Sequence, residues 1–374
     1  MPHPANIYRL GVKELWSLAH DPVLLGLIAY CFSVSIYVAS TAVPDILDKV
    51  PIAIVDEDAS PLSARLAAAF YRPRFNPPAN ITQMEMDAGM DAGDYSFVLD
   101  IPPDFQRDVL AGRSPVIQLN VDATRMTQAF TGNGYIQEIA LGEVSDFVQR
   151  YRGSAPPPVD LNLRACYNPN LEQPWFYSLS EILNNVTMLG IILTGAALIR
   201  EREHGTIEHL LAMPVTPAEI MLSKVWAMGL VVLLAAGMGL LIVVQGLLRV
   251  PIAGSVPLFL AGTALHLYAM TALAIFMATL ARSMPQFGML AVLIVLPLLI
   301  LSGTFSPRES MPELVQNAML VTPTTHYVAV SQAILFRGAG LSVVWPQFLA
   351  MFMIGALLFA CSLARFRQTI SELA

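Results

Sequence analysis

The densest run of side chains able to do chemistry is Arg200-Glu201-Arg202-Glu203-His204-Gly205-Thr206-Ile207-Glu208-His209. Charges of both signs and two imidazoles fall within one short segment. Such a set suits metal binding or ionic docking. On a helix, Arg200, His204 and Glu208 share one face. A zinc site through His204, Glu208 and His209 is conceivable, but the spacing does not match the histidine pair of a metalloprotease helix. The run therefore reads either as a solvated helix or as a docking element for a partner. Pro214 and Pro217 then bend the chain back toward the next apolar stretch.

A second polar set, Glu181, Asn184 and Asn185 with Thr187 nearby, is embedded in apolar sequence. An ionised side chain at the centre of a bilayer costs on the order of 2.5–3.5 kcal/mol even on the mildest scale. These groups are expected to face a transport path or a dimer seam; as the alternative, the asparagines bond across helices. His266 reads as a packing residue. Asp56-Glu57-Asp58 lacks the twelve-residue calcium pattern and reads as an acidic turn capping the next helix. The chain has no Gly-Lys pair, so it has no P-loop and cannot cradle ATP phosphates by that route. Its three cysteines, Cys31, Cys166 and Cys361, form neither a disulfide framework nor a metal spacing.

The elements that must position these groups are mostly bilayer-spanning. The 374 residues are 55% hydrophobic and 13% charged, with mean hydropathy +0.58. Soluble chains carry roughly 25% charged residues. Crossing a bilayer takes about 20 apolar residues. Six stretches meet that need: Val23–Val43, Phe176–Ile199, Leu222–Leu248, Pro257–Ala281, Gln286–Leu301 (short unless it extends to Phe305) and Val344–Ala364. Asn6–His20 is patterned as an amphipathic helix suited to the membrane surface. A cleavage site at Val38-Ala39-Ser40 is the competing reading of the first stretch. Its length and the long segment before it favour an uncleaved anchor.

Residues 1–43 thus form a surface helix and first span, 44–175 an insert, and 176–374 five further spans with a polar loop at 200–218. Residues 306–341 are interrupted by Pro307, Pro312, Pro323 and Gly338, which prevents one continuous spanning helix; they are expected to re-enter or lie at the interface. The insert carries 18 acidic and 10 basic residues, net −8, and no basic nucleic-acid footprint exists anywhere. Within it, Pro51–Val55, Tyr95–Ile101 and Pro115–Val121 read as strands. A helix through Arg65, a short one near Met84–Met90, another after Pro102-Pro103, and a long one over Thr124–Tyr151 alternate with them. That alternation argues a small α/β domain. With the N-terminus in the cytoplasm, inner segments hold eight Lys/Arg and short outer loops three. The positive-inside rule then places both termini inside and the insert outside.

The segment 201–226, EREHGTIEHLLAMPVTPAEIMLSKVW, resembles the hallmark segment of type-two ABC exporter permeases. Residues 167–176, YNPNLEQPWF, resemble that family's lead-in to the second span. Residues 301–340 resemble its outer loop before the last span. The likeness covers essentially the whole chain in order, and is greatest to bacterial inner-membrane export permeases with a large periplasmic domain. The resemblance implies a six-helix all-α transmembrane domain with an inserted periplasmic α/β domain. It implies a transport subunit, not an enzyme, that moves a drug, lipid or other amphiphile. It binds no cofactor itself, while a separate ABC ATPase uses ATP and Mg. Arg200, Glu201, Arg202, Glu203, His204, Gly205, Thr206, Glu208 and Pro214 would couple to that ATPase. The helix at 6–20 would carry its motion, and 306–340 would cap the path. A second permease copy or paralogue, membrane lipids and a membrane-fusion adaptor are the other implied partners. An ATP-independent secondary transporter or channel would need an ion relay or inverted repeats, and neither is visible. A membrane-anchored periplasmic sensor would leave six spans and the polar loop without purpose.

Overall fold

The computed structural model describes the chain except residues 1–2, 42–48, 72–73, 123–125, 153–171, 204, 206–213, 305–307, 309–310 and 374. It divides into two compact units, Met1–Ala42 with Ala165–Ala374, and Val43–Arg164.

The first unit opens with α1 (Pro4–Ala19), whose Pro at the first turn suits a helix start. Asp21 accepts from the Leu24 backbone N–H at 3.1 Å and caps α2 (Pro22–Thr41). Within α2, Cys31–Ser35 widens into a π-turn.

The second unit is a four-stranded sheet with helices. Its elements are β1 (Ile52–Asp56), α3 (Pro61–Ala69), β2 (Ala79–Asn80), α4 (Gln83–Ala92), β3 (Phe97–Ile101), α5 (Phe105–Leu110), β4 (Gln118–Val121) and α6 (Met126–Arg152). Strand order is β2-β1-β3-β4, with β1 parallel to both neighbours and β4 antiparallel to β3. Ile54 pairs with Leu99, and Leu99 with Leu119. Ile52, Ala53, Ile54 and Val55 are all buried, as a central strand covered on both faces requires. Leu62, Leu66, Phe70, Leu99, Ile101, Phe105 and Ile136 pack the main core. The acidic turn does capping work. Asp56 accepts from the Ala59 N–H at 2.9 Å and the Ser63 hydroxyl at 2.7 Å, and Asp58 accepts from the Gln106 N–H at 3.0 Å. The two-residue β2 has too little apolar pattern to read from sequence.

The first unit resumes with α7 (Gln173–Glu203), α8 (Pro217–Leu247), α9 (Val256–Leu280), α10 (Met284–Leu301), α11 (Glu313–Met319), α12 (Pro323–Leu335) and α13 (Leu341–Leu373). The helices α2, α7, α8, α9, α10 and α13 are long and apolar enough to cross a membrane. The interrupted stretch before α13 forms two short helices, α11 and α12, with Pro323 in the first turn of α12. The centre of the bundle is α9, which packs against α7, α8, α12 and α13 and buries Phe259, Thr263, His266, Leu267 and Met270. Most of α7 is also enclosed, 83% of its apolar window, against 17% for α10 and α13. Those two therefore present broad apolar faces, which in a bilayer meet lipid or another copy. The end of α8, Gly239–Leu247, is a second π-segment, and a Cβ at Gly239 would lie 3.0 Å from the Phe32 carbonyl oxygen in the π-turn of α2. Glycine there lets the two widened segments meet.

Candidate functional site

The four charged residues that close α7 each grip a different element. Arg200 Nη1 lies 2.8 Å from Asp21 Oδ2, at the joint between α1 and α2. Glu201 lies 2.7 Å from both Lys13 Nζ on α1 and Lys224 Nζ on α8. Arg202 Nη1 donates to the Ala281 carbonyl just after α9 at 3.0 Å. Glu203 accepts from the Met284 backbone N–H that opens α10 at 2.8 Å. Gly205, at φ +66°, ends the helix in the left-handed conformation that favours glycine. Arg200 to Glu203 therefore tie the end of α7 to its neighbours, with Glu203 still exposed. His204, Thr206 and Glu208 lie outside the described residues, as does His209 of the zinc reading. Pro214 is exposed.

At the centre of this end sits Lys224, whose side chain is 1% exposed. Its ammonium lies 3.0 Å from Glu14 Oε1 and 2.7 Å from Glu201 Oε2. A buried ammonium needs such partners, because desolvation alone would cost several kcal/mol. The second lysine, Lys13, is half-exposed and completes a set of two cations and two carboxylates. Burial pushes the Glu14 carboxyl above its ordinary range, against the downward pull of Lys224. Burial works to lower the Lys13 ammonium, but its bond and attraction to Glu201 outweigh that and hold it above its usual value. The Leu24 N–H, together with Arg200, holds the Asp21 carboxyl below the usual range.

More bonds fix α1 along the start of α8. Glu219 accepts from the backbone N–H of His3 and of Thr216, each at 2.6 Å, and the Trp226 indole donates to the Ile7 carbonyl at 3.1 Å. A Cβ at Gly11 would collide with the Trp226 ring. The sequence pattern places α1 on the membrane surface, and α1 packs against α8 through these contacts. By pattern, Lys224 is only one of the eight inner positive charges, and Glu14 lies off the apolar positions of an amphipathic helix. The missed signal was a lysine two turns inside an apolar helix, where a charge needs a partner.

The second polar set lies nearer the start of α7. Glu181, half-buried, accepts from the Ser35 hydroxyl at 2.5 Å and from Asn185 Nδ2 at 3.3 Å. Asn185 Nδ2 also donates at 2.8 Å to the Cys31 carbonyl, at the start of the π-turn in α2. A π-turn displaces backbone carbonyls from their ordinary partners, and this amide takes one up. Asn184 is buried beside it. Thr187 Oγ1 is 2.9 Å from His266 Nε2 on α9. The His266 ring stacks on Tyr327 of α12 with centroids 4.2 Å apart, and the Tyr327 hydroxyl is 3.0 Å from Thr263 Oγ1. The structure thus joins Glu181 with Asn185, and places Thr187 in a separate string that ties α7, α9 and α12. Among the described residues, no cluster of His, Cys, Asp or Glu could hold a metal ion.

Among the described residues, six helices are long and apolar enough to cross a membrane, and buried ion pairs clamp α1, α7 and α8 together at one end. The chain matches the ABC-2 family transporter protein over residues 22–364 and belongs to that family of ABC-transporter permeases. It is 58% identical, over all of both chains, to the inner membrane transport permease YhhJ of Escherichia coli (strain K12). Over 98% of this chain and 99% of the relative, it is 26% identical to the probable multidrug ABC transporter permease YbhR of the same organism. To the probable multidrug ABC transporter permease YbhS it is 26% identical over 68% of each.

Proposed function

We propose that this chain is the membrane subunit of an ATP-driven exporter, energised by a separate ABC ATPase. The observation that carries this reading is the ion-pair clamp of Lys13, Glu14, Glu201 and Lys224. It binds α1, α7 and α8 beside Glu203, where α7 ends, so a push delivered at that end reaches three helices at once. Arg200 to Glu203, His204, Gly205, Thr206, Glu208 and Pro214 form the coupling element, the first four as its anchor. Both termini and this element are cytoplasmic, in keeping with eight inner Lys/Arg against three outer. The α/β unit is then periplasmic, in a bacterial inner membrane. A second permease copy or a paralogue covers part of the apolar faces of α10 and α13, and a membrane-fusion adaptor receives the cargo. Of the polar residues on α7, Glu181, Asn184, Asn185 and Thr187 border the path, with Asn185 and Thr187 also bonded to the neighbouring helices α2 and α9. The scarcity of polar residues in the spans suits an amphiphile, and the multidrug label of two relatives supports drug-like cargo. ATP and Mg are used by the ATPase and not by this chain.

Affinity purification of the full chain together with the proteins encoded beside it tests the reading. An ABC ATPase is expected to co-purify, with hydrolysis that rises when the pair is placed in lipid vesicles. A chain that transports without any ATPase, or binds none, overturns it in favour of a secondary transporter or a sensor.

A further inference from the structure

The α/β unit contains a cavity that none of the foregoing uses. It lies between the sheet and α6 and has a volume of about 600 Å³. Small-molecule pockets typically measure about 300–1,000 Å³. Leu99, Phe105, Val109 and Ile136 close its inner end and are all buried. Leu119, Val144 and Val148 continue the wall. On α6 the row facing the cavity is Ile136, Ala140, Val144 and Val148, one helical turn apart each. Ala140 is the one small member of that row and lines the cavity. A branched residue there would fill space that a core normally fills.

The mouth differs from the wall. Arg113, Ser114 and Gln137 stand there, all exposed. Arg113 is held in place twice by Asp108: its guanidinium lies 3.2 Å from Oδ1, and its backbone N–H donates to the carbonyl at 2.9 Å. A guanidinium has five N–H donors, so one carboxylate oxygen does not exhaust it. An apolar interior with a few hydrogen-bonding groups at one end fits a molecule with a tail and a head. The net charge of −8 on the inserted segment disfavours a multiply anionic head.

We propose that this cavity binds the tail of a single-chain amphiphile, with a neutral or singly charged head at Arg113 and Ser114. Identifying that ligand with exported cargo rests on the export reading above; the binding itself does not.

The full-length chain, in nanodiscs of saturated phosphatidylcholine and without any ATPase, is irradiated with palmitate bearing a diazirine on its chain. Labelled peptides are identified by mass spectrometry. Labels are expected within residues 105–119 and 136–148 and are removed by excess unmodified palmitate. Ala140→Trp fills the gap and should cut this labelling by about fourfold or more, the loss expected for each methylene kept from burial. Because that change could disturb packing, the surface variant Arg113→Gln is tested beside it. It should leave labels at the same residues but require more probe. Labelling confined to the spans, labelling that palmitate does not displace, or insensitivity to both variants overturns the proposal. A parallel arm uses diazirine-bearing phosphatidylcholine; labelling by that probe alone assigns the cavity to bilayer lipid and overturns the single-chain assignment. With no ATPase present, a negative result here leaves the export reading standing, and a failed ATPase co-purification leaves the cavity standing.

Discussion

Near residue 181, α7 is tied to α2 by one acid, one amide and one serine; near residue 201 it is tied to α1 and α8 by two acids and two lysines. The first tie works with neutral donors, the Ser35 hydroxyl and the Asn185 amide. Interhelical hydrogen bonds of this kind average about 0.6 kcal/mol and reach about 1.7. The second tie buries charge. Its members are mutually dependent, because each carboxylate excluded from water relies on an ammonium that is excluded too. The comparison teaches that the end of α7 near 201 can be held firmly and yet be sensitive to any one partner, whereas the region near 181 tolerates piecemeal change.

Breaking the buried ammonium should give the largest effect. Lys224→Ala leaves Glu14 and Glu201 facing each other without it, and is expected to cost about 3–5 kcal/mol. Thermal unfolding in detergent micelles measures this. The triple variant Glu14→Gln, Lys224→Met, Glu201→Gln should recover most of the loss, since neutral replacements for the three buried members leave only half-exposed Lys13 charged, where water reaches it. A Lys224→Ala protein as stable as the parent would remove the clamp from the account.

Next comes the steric fit that holds α1 along α8. Gly11→Ala drives a methyl into the Trp226 ring and should cost about 1–3 kcal/mol, as overpacking does. Adding Trp226→Ala should restore part of the loss, so the two changes will be non-additive in the same melting assay. Additive losses would mean that α1 does not seat through this contact.

Smallest is Asn185→Leu, expected at about 0.6 and no more than about 1.7 kcal/mol. A penalty above that of Lys224→Ala would invert the comparison between the two ties.

Much of this was legible in residue order. The apolar runs marked six membrane-length helices, since a run of that length cannot be solvated as a loop. The prolines at 307, 312 and 323 ruled out one continuous spanning helix over that stretch, and the described residues there form two separate helices, α11 and α12. Asp56 to Asp58 announced a capping turn because acids next to a Ser-Pro helix start have backbone amides to accept from. The partners of Arg200 to Glu203 were not legible. Their contacts lie at Asp21, Lys13, Lys224, Ala281 and Met284, and a local charge run looks the same whether it faces water or the rest of the bundle. The bond from Asn185 to the Cys31 carbonyl was hidden likewise, because nothing in the residue order announces a π-turn.

What the sequence determined by itself is the solvent each stretch requires: apolar windows for a bilayer, an acidic insert with alternating strands and helices, no phosphate loop, and a family pattern carried by local motifs. These are properties of neighbouring residues, and short-range physics suffices to read them. Tertiary structure alone decided which charges meet. Lys224 and Glu14 are 210 residues apart, and only the packing of α1 on α8 turns two unremarked side chains into a buried pair. Ala140 likewise becomes the edge of a cavity only when α6 lies on the sheet, because an empty volume belongs to the walls around it and to no single residue.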